Sequence, residues 1–286
     1  MITVMKHSES EKEDKFYTSI AKDTKQSHIT FVGEAGTGKT SSLQTIIQIC
    51  KQKESGLVFK IFDPSLAWFH KAPVQWRQAV NNESLANNRV VNIEDCVYET
   101  GSLTESDQRA FIATIIGIDY ARRYELQKTD AAALKELPVI IYVIEEANIA
   151  FNSYSLRRND QYTPTLQNFV SVSRNLKMRG LFLTTGFQSE LSPSVRKRTR
   201  IIWGKTIGEE DQKLAKKQGA PELPKYTFFY KGVVQRVPDL CRNIPVDYEV
   251  SVPVVTQPKS DGSGWWIKFL GTIAIFLLFW SWLMGI

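Results

Sequence analysis

A glycine-rich segment near the start of the chain constrains its fold more than any other feature. Residues 33–40 read Gly-Glu-Ala-Gly-Thr-Gly-Lys-Thr and match the pattern G-x-x-x-x-G-K-[ST] in full. An apolar run at residues 29–32 precedes this loop, and a helical pattern over residues 41–50 follows it. A strand, a glycine-rich loop and a helix in this order gather backbone N–H groups at the positive end of a helix dipole, which suits a phosphate group. A chance glycine-rich turn would not need both flanking elements, so the sequence predicts a nucleoside triphosphate site.

The pattern also gives each residue of the loop an expected role. We expect ATP as the nucleotide and Mg²⁺ as its metal ion. The residues expected to contact the nucleotide are Gly33, Glu34, Ala35, Gly36, Thr37, Gly38, Lys39, Thr40 and Ser41. Lys39 is expected to reach the β- and γ-phosphates during catalysis, and the Thr40 hydroxyl is expected to bind Mg²⁺.

A second apolar run supplies the acidic half of the expected site. Residues 139–144 are all apolar or aromatic and are followed directly by Glu145 and Glu146. A continuous apolar run is typical of a buried parallel strand, and ligands bind at the carboxyl ends of such strands. We expect Glu145 to hold Mg²⁺, where ATPases of this kind usually carry Asp, and Glu146 to polarise the attacking water. The alternative is two solvated carboxylates at the start of a helix.

Strand and helix patterns alternate along most of the chain, which predicts an α/β fold. Strands are predicted at residues 29–32, 57–62, 90–93, 139–144, 181–185 and 200–203, with a hairpin at 225–237. Helices are predicted at residues 41–53, 105–128, 165–178 and 209–218. This alternation indicates a P-loop NTPase (RecA-like) domain with a mostly parallel sheet and helices on both faces. We place this ATPase domain at residues 28–244, after a polar N-terminal arm at residues 1–27.

The C-terminal residues differ in composition from the rest. Residues 269–286 contain no charged side chain, and as a helix they would be roughly 27 Å long, close to the hydrocarbon thickness of a bilayer. We therefore predict a single C-terminal transmembrane helix at residues 265–286, joined to the domain by a flexible linker at 245–264. Lys259 and Lys268 precede the uncharged stretch at residues 269–286 and favour a cytoplasmic ATPase domain anchored at its C-terminus. A buried core helix is the alternative reading.

Charge and cysteine content narrow the possibilities little further. The chain has 36 Lys and Arg against 30 Asp and Glu, a net charge of +6, which permits a polyanionic partner or an anionic membrane surface. Its cysteines, Cys50, Cys96 and Cys241, lie far apart without metal-ligand spacing, so we expect reduced thiols. No helix-turn-helix or zinc module is visible, and sequence-specific DNA recognition is therefore unsupported.

Several motifs together carry a resemblance to a known superfamily. They are the loop at 33–40, Asp63-Pro64 at the end of the second strand, the Glu145-Glu146 pair, and Gln188 within the segment 171–196. In this combination the chain resembles the FtsK/HerA superfamily of ring-forming DNA translocases. The resemblance implies that Gln188 senses the γ-phosphate and that an arginine completes the site of a neighbouring subunit. The candidates for that arginine are Arg174, Arg179 and Arg200.

The chain departs from the superfamily at the sensor position. Thr184-Thr185-Gly186-Phe187 stands before Gln188, where the superfamily usually has Thr-Gln directly at the strand end. Thr184 or Thr185 therefore remains an alternative sensor. Asp63 by itself is read as structural, because Asp and Pro often end strands.

Within the superfamily, the short ATPase core resembles viral genome-packaging ATPases. This implies an ATP-driven translocase for double-stranded DNA, working as a homo-oligomeric ring at a host membrane or an internal virion membrane, alongside other virion proteins. The basic cluster Arg196, Lys197, Arg198 and Arg200 would track DNA phosphates independently of sequence, although a solvated or membrane-facing patch fits it equally well.

Three alternatives remain open. Zonular-occludens-toxin-like ATPases of filamentous phage assembly also combine an ATPase core with one span, but they usually continue beyond it, whereas Ile286 is the last residue here. A membrane-anchored NTP-binding switch without DNA needs no constitutive catalytic base. A small-molecule kinase would need a substrate lid, which the sequence does not reveal.

Overall fold

The computed structural model describes residues 15–68, 70, 72, 74–79, 95–206 and 208–237. The predicted strand at 90–93, the linker at 245–264 and the membrane span at 265–286 lie outside these residues. Within the described ranges, no helix has the length and apolar character needed to cross a membrane.

A mostly parallel sheet forms the centre of the domain. Its described strands are β1 (His28–Val32), β2 (Leu57–Asp63), β3 (Arg77–Ala79), β4 (Cys96–Glu99), β5 (Val139–Ile144), β6 (Met178–Thr184), β7 (Thr199–Trp203), β8 (Thr227–Tyr230) and β9 (Val233–Arg236). They are ordered β3-β4-β2-β5-β6-β1-β7-β8-β9. β1 to β7 run parallel to one another, whereas β8 pairs antiparallel with both β7 and β9. The predicted strands at 29–32, 57–62, 139–144, 181–185 and 200–203 and the hairpin are confirmed, with small shifts at their ends.

Helices cover both faces of this sheet, as the sequence predicts. They are α1 (15–26), α2 (Lys39–Lys53), α3 (Glu105–Thr129), α4 (Ala131–Glu136), α5 (Ala147–Phe151), α6 (Thr163–Val172), α7 (Phe187–Glu190), α8 (Pro193–Arg196) and α9 (Glu209–Lys217). One apolar cluster joins one face of the sheet to α1 and α2, and a second joins the other face to α3, α5 and α6. The two-layered cover buries all residues of β1, β2, β5 and β6.

The prediction of a polar arm at residues 1–27 is wrong for residues 15–26. These residues form α1, whose side chains Phe16, Tyr17, Ile20 and Ala21 are buried in the cluster with α2. Their spacing places all four on one face of a helix, and the polar residues between them, Thr18 and Ser19, are exposed and half-buried. The folded domain therefore begins before residue 28.

The helix predicted at residues 165–178 ends earlier than expected. α6 stops at Val172, a short 3₁₀ turn follows at Ser173–Leu176, and Lys177 has a left-handed φ of 55°. Arg123 of α3 donates to the carbonyl oxygens of Leu176 and Lys177 at 3.0 and 3.1 Å. These bonds fix the turn that replaces the last part of the predicted helix, and β6 begins directly afterwards.

One ion pair is buried between the sheet and α3. Lys60 Nζ donates to Asp119 Oδ2 at 2.6 Å, and the Tyr142 hydroxyl donates to the same oxygen at 2.7 Å. The Lys60 and Asp119 side chains are only 1% and 6% exposed. Two donors on adjacent strands β2 and β5 thus share one acceptor on α3, which ties the strand that precedes Glu145 to the helical layer.

Candidate functional site

The glycine-rich loop joins the carboxyl end of β1 to the first turn of α2. Gly36 and Gly38 have φ values of 70° and 89°, which only glycine adopts without strain. Gly38 is the N-cap of α2, no side chain caps the helix, and its first turn holds no acidic residue. The first N–H groups of α2 are therefore left for an anion at the positive end of the helix dipole.

Lys39 lies across this loop. Its ammonium nitrogen donates to the carbonyl oxygens of Gly33 at 2.5 Å and Glu34 at 2.8 Å. Burial lowers the pKa of Lys39, and the nearby carboxylates of Glu190 and Glu145 oppose this shift. An ammonium held this way can exchange carbonyl oxygens for phosphate oxygens without leaving the loop.

The sheet order brings Glu145 to the same edge as the loop. β6 lies between β1 and β5, and all three strands are parallel, so their carboxyl ends meet at one edge. The Thr40 side chain, at the start of α2, lies close enough to Glu145 to help lower the pKa of that carboxyl. The structure thus brings together the two residues that the sequence predicts as metal ligands.

The segment after β2 holds Glu145 in place. Trp68 Nε1 donates to Glu145 Oε1 at 2.5 Å, and Ser65 Oγ donates to Oε2 at 2.9 Å. Asp63 orders this segment by accepting from the backbone N–H groups of Ala67 at 3.1 Å and Trp68 at 2.9 Å. These bonds explain Asp63 by a structural role alone, as the sequence predicts. The roles of Trp68 and Ser65 were missed, because nothing in the local sequence links them to β5.

The chemistry of this group of residues fits Mg²⁺. Burial raises the pKa of Glu145, and the hydrogen bonds that oppose this shift come from the neutral groups of Trp68, Ser65 and Thr40. A half-buried carboxylate held by neutral donors favours a cation beside it. Carboxylate and hydroxyl oxygens are the ligand types that Mg²⁺ prefers, and Glu145 and Thr40 supply one of each.

Glu146 differs from its neighbour in exposure. It is solvent-exposed and stands at the N-cap of α5, where its side chain makes no capping bond. Adjacent carboxylates thus have two environments: Glu145 is half-buried beside Thr40, and Glu146 is open to water at the same sheet edge. This division suits a metal ligand and a water-polarising base.

Thr184 and Thr185 lie beside the loop at the end of β6. The Gly33 N–H donates to the Thr184 carbonyl oxygen at 3.2 Å. Glu190 accepts from Thr184 Oγ1 at 2.5 Å and from the Thr185 N–H at 3.1 Å. Burial raises the pKa of Glu190, but these donors outweigh it and hold the pKa below its ordinary value. Glu190, which was not predicted, is thus an ionised carboxylate near Lys39.

Gln188 is placed differently. Its side-chain oxygen accepts from Arg196, and its backbone N–H donates to Asp211 at 3.0 Å. It lines a cavity of about 710 Å³ together with Arg196 and Trp203. In the described part of the chain, no hydrogen bond joins the Gln188 side chain to the loop. Of the candidate sensors, Thr184 and Thr185 are the ones that the structure brings to the phosphate loop.

The three candidate arginines lie at the opposite edge of the sheet. Arg179 and Arg200 occupy the second positions of β6 and β7, and Arg174 lies in the turn before β6. Arg179 is buried and donates to the Arg174 carbonyl oxygen at 2.9 Å, and Arg200 is paired with Asp23. Arg174 itself is exposed. None of the three is brought to the loop of its own subunit.

The basic cluster at residues 196–200 does not form one surface. Arg196, Lys197 and Arg200 line the 710 Å³ cavity, whereas Arg198 lines a different pocket and donates to the Ser194 carbonyl oxygen at 3.3 Å. Lys231 also lines the cavity, and the single carboxylate of Asp23 pairs with both Arg200 and Lys231, so the lining keeps a net positive charge.

Among three comparisons with known proteins, only the one with solved structures found similar proteins. No protein-family model and no curated protein matches the chain. The genome packaging NTPase B204 from Sulfolobus turreted icosahedral virus 2, in complex with AMP, is similar over 75% of this chain and 98% of its own, with TM-score 0.49 and 14% identity. The pCW3 conjugation coupling protein TcpA with ATPgS is similar over 76% and 62%, with TM-score 0.47 and 16% identity. EssC (ATPases 2 and 3) from Geobacillus thermodenitrificans is similar over 74% and 39%, with TM-score 0.48 and 13% identity.

Proposed function

We propose that this chain is an ATPase that uses hydrolysis to move double-stranded DNA, as a membrane-anchored genome-packaging motor. The hydrolytic part of this proposal rests on one observation above all. The uncapped start of α2, Lys39 and the Thr40–Glu145 contact all lie at one edge of the sheet, with the exposed carboxylate of Glu146 beside them.

Each group at this edge has a task that its setting supports. The first turn of α2 and Lys39 bind the triphosphate. Glu145 and Thr40 would hold Mg²⁺, which neutralises charge on the phosphates when bound. Glu146 accepts a proton from the attacking water, and Thr184 or Thr185 contacts the γ-phosphate. In this proposal Gln188 plays no direct part in phosphate sensing.

The translocase part of the proposal is supported by the motif combination that resembles the FtsK/HerA superfamily. The distant arginines agree with a ring, because a group at the far edge of one subunit can serve only a neighbouring site. Arg174 is the best placed of the three, since it is exposed while Arg179 and Arg200 are held within their own subunit. The uncharged residues 269–286 support anchoring to a membrane.

ATP turnover by the full-length protein, with and without double-stranded DNA, tests the proposal. We expect DNA to stimulate ATP turnover by the wild-type protein, and we expect the Lys39→Ala variant to have no turnover with or without DNA. An ATP turnover rate that does not change when DNA is added would overturn the proposal of a DNA translocase and favour the phage-assembly or switch alternatives. If the wild-type protein binds ATP but does not hydrolyse it, the membrane-anchored NTP-binding switch would be the one remaining alternative.

A mixing experiment tests the ring. Lys39→Ala and Arg174→Ala are each expected to be inactive alone. In an equal mixture, about one quarter of the interfaces should combine an intact Lys39 with a neighbour's intact Arg174 and regain activity, since heterologous ring contacts are head-to-tail. No recovery on mixing would remove Arg174 from the neighbour's site.

A further inference from the structure

A tyrosine packs directly against the phosphate loop from the side opposite to Glu145. A β-carbon added to Gly38 would lie only 2.2 Å from Tyr226 Cδ1, so the ring of Tyr226 is in contact with Gly38. The Tyr226 N–H also donates to the Thr37 carbonyl oxygen at 3.0 Å. The ring is half-buried, which leaves part of it open at the edge of the loop.

The backbone of Tyr226 is held in an unfavourable conformation. Its φ is 60°, in the left-handed region that bulky residues avoid. Hydrogen bonds on both sides fix it there, because Val237 N–H donates to the Tyr226 carbonyl oxygen at 2.8 Å while Tyr226 N–H binds the loop. Strain of this kind persists where the surrounding structure over-determines a residue, and it is concentrated at ligand sites.

The order of the strands gives a bound nucleotide a direction. Lys39, Thr40 and Glu145 draw the terminal phosphate toward β5, on one side of β1. β7 and β8 lie on the other side, and because β8 is antiparallel, Tyr226 before it lies at the same edge as the loop. A nucleotide with its terminal phosphate toward β5 leaves the loop on the side of β7 and β8, where Tyr226 stands.

We propose that the ring of Tyr226 forms one wall of the subsite for the nucleobase and stacks on it. This inference rests on the proposed function, because it assumes a nucleoside triphosphate in the loop. Every base has an aromatic face, so this wall adds affinity for nucleosides in general and discriminates little between purines. It makes Tyr226 a nucleotide-binding residue that the loop pattern does not include.

Titration of the full-length protein with Mg·ATP and with magnesium tripolyphosphate tests the proposal. Tyr226→Ala should weaken ATP binding about tenfold, because it removes one stacking contact. Tripolyphosphate, which has no base, should bind within about twofold of wild type, since its contacts lie in the loop. Tyr226→Phe keeps the ring and should bind both ligands as wild type does. Both variants keep a β-carbon, so neither changes the reason for the backbone strain.

Two results would overturn the base subsite. An equal loss for ATP and tripolyphosphate in Tyr226→Ala would mean that the ring only supports the loop. Unchanged binding of both ligands would mean that the ring touches no nucleotide. Failure of the proposed function would look different, because the wild-type protein itself would then bind neither ligand.

Discussion

Replacing Trp68 with phenylalanine tests how Glu145 is held. Trp68→Phe keeps an aromatic ring in the buried position but removes the N–H that donates to Glu145 Oε1 at 2.5 Å. The bond joins a neutral donor to a carboxylate, and bonds to charged groups contribute about 1.5–3 kcal/mol. If the reaction depends on the position of Glu145, this energy corresponds to a loss of about 10- to 100-fold in turnover.

The assay is steady-state ATP turnover at saturating ATP over a range of Mg²⁺ concentrations. We expect Trp68→Phe to need more Mg²⁺ for half-maximal turnover and to reach a lower maximum, while ATP binding through the loop is kept. The Ser65 hydroxyl still donates to Glu145 in this variant, so activity is reduced rather than abolished.

The chain offers a matched control for this substitution. Trp203 is also buried, and its indole Nε1 donates to Gln218 Oε1 at 2.8 Å, away from Glu145. Trp203→Phe makes the same chemical change and should leave the Mg²⁺ requirement unaltered. Wild-type turnover in Trp68→Phe, or an equal defect in Trp203→Phe, would refute the role given to Trp68.

Three further substitutions test the fold and the loop. Asp119→Ala leaves the buried ammonium of Lys60 unpaired and should lower the free energy of unfolding by about 3–5 kcal/mol in urea titrations, whereas an apolar pair at both positions should recover most of it. Burial lowers the pKa of His28 to about 3, so the unfolded chain binds a proton there below about pH 6.5 and the folded chain does not. As the pH is lowered from about 6.5 to about 3, the free energy of unfolding should therefore fall by about 1.4 kcal/mol per pH unit. The His28→Asn variant should lack this part of the pH dependence. Gly38→Ala, with φ at 89° and its β-carbon 2.2 Å from the Tyr226 ring, should abolish ATP binding without unfolding the domain, and calorimetry would detect any binding that remains.

The parts of the site that the sequence predicts are those whose residues lie together in short, continuous segments of the chain. The loop at 33–40 and the strand before Glu145 each combine an apolar run with the residues that follow it, so the elements and their chemistry are adjacent in sequence. The sheet edge then brings Thr40 and Glu145 together through the parallel pairing of strands, which the alternation of elements already implies.

The parts that the sequence does not predict reach the site across the fold. Trp68 contacts Glu145 from 77 residues away, and Tyr226 reaches Thr37 from the far end of the domain. Neither has a local pattern, because their positions depend on how β2 and β8 pair with other strands. The choice between Thr184 and Gln188 depended on where β6 ends, and strand ends are the least certain feature of any sequence pattern.

The most direct test of the account compares ATP binding and ATP turnover in the full-length Glu146→Gln variant. The exposed carboxylate of Glu146 is assigned to the attacking water and not to the nucleotide, so we expect ATP binding close to that of wild type. Turnover should fall by about 10²- to 10⁴-fold, the usual contribution of a general base. Wild-type turnover in Glu146→Gln would contradict the assignment of the base and, with it, the division of roles between Glu145 and Glu146.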